Sequence, residues 1–330
     1  MKIFKVIKKH KFLSFFVFLL LIYWALWLFD YSNPNQSFGI TFSETYAKSL
    51  GLDSKKVYLD ILNELKVKKL RLVAYWNLIE TQKNNFNFDY LDFQIKEAEK
   101  RNAEVVLAVG YRVPRWPECH LPEWTKNLPP EDFEKELLNY LKIIIERYKN
   151  SPTIKIWQVE NEPFLTVFGN CPAPNKNLFE KELSYVKNLD PSRPILITDS
   201  GELSFWLNTS GKSEIFGTTL YRFVWNKYTG FMKHYFPPFF YTLRAWLVEK
   251  FSPTKKVIIA ELQAEPWIPN SSYSLNDQAK IFSVQNLKNN INFAKKTGLS
   301  EIYLWGAEWW YAQKLNNHPE YWEEIKKLNF

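Results

Sequence analysis

Cysteine is almost missing from this chain of 330 residues. Cys119 and Cys171 are the only two, which excludes a disulfide-dense scaffold and a cysteine-rich zinc domain. Histidine is nearly as scarce: four, His10, His120, His234 and His318, lie far apart and argue against a multi-histidine metal centre. Only ten glycines occur, and no glycine-rich phosphate turn follows the first predicted strand, so a nucleotide-cradling loop has no place to form. Low-complexity segments are absent too. A hydrophobic content of 46% excludes wholesale disorder, and the length suits either two domains or one α/β barrel.

What is present begins with charge. The formal net charge is +8, but residues 1–11 hold Lys2, Lys5, Lys8, Lys9 and Lys11 and no acid. Without these five, 38 basic residues face 35 acidic ones, a net of +3 with no long basic run. A nucleic-acid partner loses its electrostatic footing.

Directly after the lysines runs Phe12 to Phe29, in which Ser14 is the only clearly polar side chain. Eighteen helical residues at about 1.5 Å each span roughly 27 Å, close to a hydrocarbon core. Basic residues before it, Asp30 after it and Trp24 and Trp27 near its far end predict a single-pass anchor with a cytoplasmic N-terminus. A cleaved secretory signal is the competing reading, but no small-x-small site follows the run. We expect a basic cytoplasmic tail (1–11), a transmembrane anchor (12–29), a short polar stalk (30–37) and an extracytoplasmic domain (38–330), secreted if the segment is cleaved.

From Phe38 onward, short apolar runs alternate with longer amphipathic stretches, the βα pattern of a parallel sheet. Strands are expected at Phe38–Phe42, Lys69–Ala74, Ala103–Val109, Ile154–Val159, Pro194–Thr198, Glu214–Thr218, Lys256–Ala260 and Glu301–Trp305. Helices are clearest at Ser54–Lys66, Tyr90–Arg101 (capped by Asp89), Glu131–Tyr148, Leu178–Lys187, Phe239–Phe251 and Asn276–Lys296. Eight strands in about 290 residues match the repeat count of a (β/α)8 TIM barrel, whose chemistry is built at strand C-termini.

The fourth strand there runs into Glu160-Asn161-Glu162-Pro163, and the seventh into Glu261-Leu262-Gln263-Ala264-Glu265-Pro266-Trp267. A carboxylate directly after a buried apolar strand is costly unless paired or functional. Two facing one cavity are what glycoside hydrolysis needs. In these residues the chain resembles the clan of (β/α)8 retaining glycoside hydrolases that includes cellulases, β-mannanases and β-galactosidases. The resemblance implies Glu162 as acid/base, Glu261 as nucleophile and Asn161 as holder of the sugar 2-hydroxyl. It prefers Glu162 over Glu160, because clan members carry the proton donor after the Asn; Glu265 reads as a loop acid. Arg71, inside an otherwise apolar strand two, maps onto the arginine that orients the nucleophile, with a purely structural ion pair as the alternative. Tyr221 resembles the tyrosine that hydrogen-bonds the nucleophile; a packed rim tyrosine is the alternative. Retention predicts carboxyl groups about 5–5.5 Å apart, and inversion 6.5–9.5 Å.

Twelve of fourteen tryptophans lie beyond the apolar run. Flat indole faces suit sugar rings, and Trp76, Trp116, Trp267, Trp305 and Trp309 are the candidate platforms, with Trp305 as floor of the −1 site. Trp157 reads as core. The loop 110–120 carries recognition-type side chains, including His120. Cys119 and Cys171 fall after strands three and four on one rim, placed for a disulfide outside the cytoplasm. Asp199, Glu202 and Glu308 are further candidates for binding hydroxyls, and Asn208-Thr209-Ser210 and Asn270-Ser271-Ser272 match the glycosylation triplet. The expectation is a glycosidase acting on a β-linked oligo- or polysaccharide with no cofactor, no metal and no obligate protein partner. A non-hydrolytic carbohydrate-binding barrel and a transglycosylase are the alternatives.

Overall fold

Side chains that alternate between a barrel interior and a ring of helices organise the computed structural model, which describes residues 2–226, 228–268 and 273–330, with side chains from Leu13 onward. Six parallel strands, β1 (Ser37–Thr41), β2 (Lys69–Val73), β3 (Glu104–Val109), β4 (Ile154–Val159), β5 (Ile195–Asp199) and β6 (Ile215–Leu220), come first in the chain. A short antiparallel hairpin, β7 (Phe223–Asn226) and β8 (Gly230–Lys233), is inserted before β9 (Lys256–Gln263) and β10 (Glu301–Trp305). The barrel closes in the order β1-β10-β9-β6-β5-β4-β3-β2. All eight expected barrel strands are present.

Leu70, Leu72, Val105, Leu107, Ile259, Leu262, Ile302 and Leu304 face outward into one large core shared with the helices. A second apolar group, Val106, Leu196, Ile215, Ile258 and Tyr303, fills the interior. Gly39 of β1 is needed there, because a Cβ would stand 2.7 Å from the Tyr303 ring. Towards the strand C-termini the interior turns polar, with Arg71, Gln158, Thr198, Glu261 and Gln263 all buried.

The helices follow their local signals. Pro130–Tyr148 opens on proline, carries Glu131 and Asp132 in its first turn, and buries Leu137, Tyr140, Leu141, Ile144, Ile145 and Tyr148 at helical spacing. The helix expected over Asn276–Lys296 is two helices, Leu275–Ile281 and Val284–Lys296. Ser283 breaks it by adopting an extended ψ of 163° and accepting from the Asn286 backbone N–H. Asp89 is the first residue of its helix rather than the cap, a position held by Phe88. The hairpin and the helices Ala307–Leu315 and Glu320–Lys326 lie outside the sequence expectations, being too short for a clear period.

A helix at Lys2–Leu26 takes in most of the expected transmembrane segment 12–29 but stops before Trp27. Its side chains from Leu13 to Leu21, all apolar except Ser14, are exposed. The side chains of 1–12 lie outside the described residues, and among the described residues no helix is long and apolar enough to cross a membrane. The end of this helix meets the barrel: Tyr23 Oη donates to the Tyr235 carbonyl (2.7 Å), and Trp27 lies edge-on to Phe293.

Candidate active site

Two strand ends do the positioning. After β4, Glu160 and Glu162 both adopt positive φ, 59° and 46°, a conformation that non-glycine residues rarely take. The abrupt turn sends three successive side chains different ways. Glu160 folds back, accepting from the backbone N–H groups of Tyr111 and Arg112 (3.3 and 3.2 Å). Asn161 points to the barrel axis, where its Oδ1 accepts from Arg71 Nη2 (2.7 Å) and Thr198 Oγ1 (2.9 Å). Glu162 lies over the strand ends, its N–H on Thr198 Oγ1 and its Oε1 3.5 Å from Thr219 Oγ1.

Glu261 is placed by a β-bulge. It does not follow its strand as expected but lies inside β9, which continues to Gln263. Thr218 pairs with Ile259 while Thr219 pairs with Glu261, so Ala260 is the extra residue. Ile258 faces the interior, and strict alternation would turn Glu261 outward to the helices. The bulge reverses that and brings the carboxylate inward.

There Arg71 Nη1 donates to Glu261 Oε1 at 2.7 Å, and Tyr221 Oη donates to Oε2 at 3.1 Å. The same guanidinium reaches Gln158 Oε1 and Asn161 Oδ1, both at 2.7 Å, so one buried cation spans β2, β4 and β9. Glu118, from the loop after β3, accepts from Asn161 Nδ2 at 3.0 Å. Glu162, Glu261 and Glu118 are 7%, 4% and 3% exposed, which makes their mutual repulsion strong. Burial, then the charges of Glu261, Glu118 and Asp199, push the Glu162 carboxyl well above the usual carboxylate range. Burial and the Glu261 charge raise Glu118 to about 7. The group thus favours the protonated form of Glu162, beside a Glu261 that an arginine faces directly.

Sequence reasoning missed Glu118 and Arg115. Both belong to the loop 110–120, and only the three-dimensional path of that loop carries them to residues after other strands. Cys119 and Cys171 form a disulfide that joins the loops after β3 and β4.

Several expected substrate platforms are elsewhere. Trp76 is fully buried, stacked on Tyr140 and packed against Trp124 and Phe133, with its indole N–H on Glu80. Trp309 is also fully buried, donating to Gln278 Oε1 between Phe282 and Tyr321. Both are helix-packing residues, because the first turn after a barrel strand can dive into the outer layer as readily as line the mouth. Trp157 is core, as read, and donates to Asp190. Trp116, 64% exposed, and Trp267 remain on the rim, linked through Phe168. Trp305 ends β10 with the Arg115 guanidinium 4.0 Å from its ring centroid.

Asp199 is buried and ties its own loop together through Ser204 and Thr209. Glu202 accepts from the Tyr221 backbone N–H and the Tyr241 hydroxyl. Glu308 pairs with Arg115 at 2.9 Å. His120 is buried against Tyr75, its ring donating to the Arg115 carbonyl. In Asn208-Thr209-Ser210 the second and third residues are buried; Asn270-Ser271-Ser272 lies outside the described residues.

Comparison with known proteins points to glycoside hydrolases. The sequence profile of the glycosyl hydrolases family 2, TIM barrel domain, matches residues 95–289, which include Glu162 and Glu261. A probable mannan endo-1,4-beta-mannosidase A of Aspergillus niger is 35% identical over 66 residues, 19% of this chain and 16% of that protein. A mannan endo-1,4-beta-mannosidase A of Emericella nidulans is 24% identical over 148 residues, 40% of this chain and 37% of that protein. The alignments therefore span well under half of these curated relatives. Among solved structures, GH5_18 from Bifidobacterium longum superposes with a TM-score of 0.59 at 11% identity, over 82% of this chain and 69% of that one. Xylanase 10B from Thermotoga maritima gives 0.55 at 17% identity, over 82% and 83% of the two chains. At these identities the structural likeness speaks for the fold.

Proposed function

The chain belongs to the glycosyl hydrolases family 2 TIM barrel domain family, and from that premise we propose that it is a retaining glycosidase of β-linked oligo- or polysaccharides, held at an extracytoplasmic membrane surface by residues 12–29. One observation carries the catalytic reading: a buried, proton-holding Glu162 faces a Glu261 carboxylate gripped by Arg71 and Tyr221. Glu162 gives its proton to the glycosidic oxygen as a Glu261 oxygen attacks the anomeric carbon. The C–O bond to the leaving sugar breaks and an ester to Glu261 forms. Glu162, now a carboxylate, takes a proton from water, whose oxygen displaces Glu261 and restores both groups. Asn161 has one amide hydrogen committed to Glu118 and a second for the sugar 2-hydroxyl.

The curated relatives named as mannan endo-1,4-beta-mannosidases put β-1,4-linked mannose first among substrates to try, with xylose and glucose polymers after it. The test is release of an activated aryl β-glycoside. Wild type turns it over, Glu162→Gln and Glu261→Gln lose that turnover, and a 2-deoxy-2-fluoro glycoside leaves its sugar on Glu261 in a peptide mass map. Silence of wild type across a broad β-glycoside panel would sink the proposal. Anchoring rests on the apolar run Phe12–Phe29 and on the exposed apolar side chains from Leu13 to Leu21. It predicts a membrane pellet that resists carbonate extraction and a soluble protein once 1–29 are removed.

A further inference from the structure

The path of the apolar N-terminal helix along the barrel decides which end of the barrel faces a membrane. Residues 30–37 do not act as a spacer. The Tyr31 N–H donates to the Lys296 carbonyl (3.1 Å), and Gln36 Nε2 donates to the carbonyls of Lys295 and Leu299 (2.9 and 3.0 Å). These partners lie between the helix Val284–Lys296 and β10, on the N-terminal rim of the barrel. Followed backwards from there, the chain climbs towards the mouth. Trp27 meets Phe293, about one turn earlier in the same helix, and the Arg222 guanidinium lies 4.0 Å from that ring. Tyr23 Oη then reaches the Tyr235 carbonyl. Tyr235 is at mouth level, because its neighbour His234 bonds to residues just past the end of β6. The His234 N–H donates to the Arg222 carbonyl (2.9 Å) and its ring Nδ1 to the Tyr221 carbonyl (2.8 Å). Tyr221 is the residue that donates to Glu261.

The helix is continuous from Leu26 back to Lys2, so about 30 Å of it continues beyond Tyr23 on the mouth side. Leu13 to Leu21 are exposed because they have passed the barrel. Trp24, also exposed and edge-on to Tyr23 (5.8 Å), suits the membrane–water interface. With Leu21 in hydrocarbon and Trp24 among head groups, the mouth is held at head-group depth.

The rim of the mouth fits that depth independently. Loops after four adjacent strands, β3 to β6, expose Trp116, Val167, Leu203, Phe205, Met232 and Tyr235. The N-terminal rim exposes Lys68, Glu104, Lys155 and Lys255, along with Phe251. Large apolar side chains gathered on one end of a barrel mark a contact surface, and the helix that leaves on the same side identifies a bilayer as its occupant.

Resting on the hydrolase and anchor readings above, we propose that the catalytic mouth faces the bilayer and that the substrate is a β-linked glycan carried on a lipid of that same membrane. A polymer in solution has to enter the gap between mouth and head groups, whereas a lipid-borne sugar is already there and confined to the same surface. The lipid-bearing part leaves with the glycosidic oxygen and the Glu162 proton, and the oxygen of water ends on the anomeric carbon of the released sugar.

Two measurements on the full chain in phosphatidylcholine vesicles test this. The first places a bimane label at Phe205→Cys or at Lys255→Cys, the native cysteines being bonded to each other. Lipids spin-labelled on the head group quench the label at 205 more strongly than the one at 255. Equal quenching, or the reverse order, overturns the orientation. The second supplies dioleoylglycerol bearing a tritiated β-1,4-linked trisaccharide of mannose, xylose or glucose, and follows soluble sugar. Wild type releases it. A variant with a flexible spacer of about 20 residues after Asp30, plus Tyr23→Phe and Trp27→Leu to free the helix, releases it about 10-fold more slowly, yet turns over aryl glycosides of the same trisaccharides at the wild-type rate. Equal rates for both proteins on the lipid, or wild type active on the aryl glycosides alone, overturn the inference and leave a working hydrolase. No turnover of either substrate overturns the hydrolase reading, and release by carbonate overturns the anchor; the inference falls with either.

Discussion

Glu160 and Glu162 are the same residue type two positions apart, both buried and both in the left-handed region, yet they belong to different parts of the molecule. Glu160 turns outward against Gly110, where a Cβ would come within 2.9 Å of its Cγ and 3.4 Å of Glu182 Oε2. Its neighbour Glu182 projects from the helix Lys176–Leu189 with neither oxygen hydrogen-bonded to a described residue. Burial raises Glu160 to about 7, and burial with the Glu160 charge raises Glu182. Glu162 turns inward, and its proton is held by Glu261, Glu118 and Asp199 as well as by burial. Burial alone therefore does not make a carboxyl catalytic. What separates the two is the partner: a second acid in a packed layer for Glu160, and an arginine-held carboxylate at a barrel mouth for Glu162.

The sharpest way to break this contrast is by activity. Glu261→Gln and Glu162→Gln are each expected to lower kcat/KM for an unactivated β-glycan by at least about 1,000-fold, since each removes a proton-transfer or bond-forming group. Glu160→Gln should stay within about 10-fold of wild type. Steady-state kinetics on folded variants decides, and a Glu160→Gln loss as large as that of Glu162→Gln would erase the distinction.

Arg71 comes next. Removing one partner of a buried pair leaves the other charge stranded, typically a cost of about 3–5 kcal/mol. Arg71→Met should lower thermal stability and, by leaving the Glu261 carboxyl without its guanidinium partner, lower kcat/KM as well. Arg71→Lys keeps the charge but cannot reach Gln158, Glu261 and Asn161 together, so it should retain stability better than activity. Equal losses in both variants would mark Arg71 as structural only.

Much of this contrast was already visible in the residues. Short apolar runs between amphipathic stretches announced all eight barrel strands, and the Asn161-Glu162-Pro163 turn, after the fourth of them, announced the acid through its resemblance to the clan. Two things hid the rest. The bulge at Ala260 depends on the registers of β6 and β10, and no local pattern reports it. The paths of Glu118 and Arg115 are long-range, set by a loop that crosses its neighbours and is tied by a disulfide. The tryptophans misled for a related reason. Strand-end position does not separate a residue lining the mouth, such as Trp267, from one turning into the helical layer, such as Trp76 or Trp309.

The disulfide sharpens the comparison from the loop side. It closes 52 residues and fixes Glu118 and Arg115 next to the loop that leaves Glu162. Replacing both cysteines with serine should cost about 2–4 kcal/mol in denaturant unfolding. It should also slow turnover, because Glu118 and Arg115 lose their fixed position. Intact kinetics with lowered stability would confine the bond to the fold.

The smallest expected effect tests the Glu160 side by itself. In the unfolded chain both acids titrate near 4.5, whereas Glu160 in the fold keeps its proton to about 7 and Glu182 is raised as well. Below about 4.5 both states are protonated and the contribution to stability is whole. As pH rises towards 7, the unfolded chain releases protons that the folded chain retains, so stability falls with rising pH. Glu182→Gln removes one titrating group and gives Glu160 an amide donor. Its melting temperature should exceed that of wild type above pH 7, by roughly 1–2 kcal/mol in unfolding free energy, and converge on it near pH 4. The same substitution should leave the pH profile of kcat/KM in place, because Glu182 is absent from the groups that set the Glu162 proton. A moved alkaline limb would mean that the two carboxyl pairs, facing opposite sides of one strand end, titrate as a single unit.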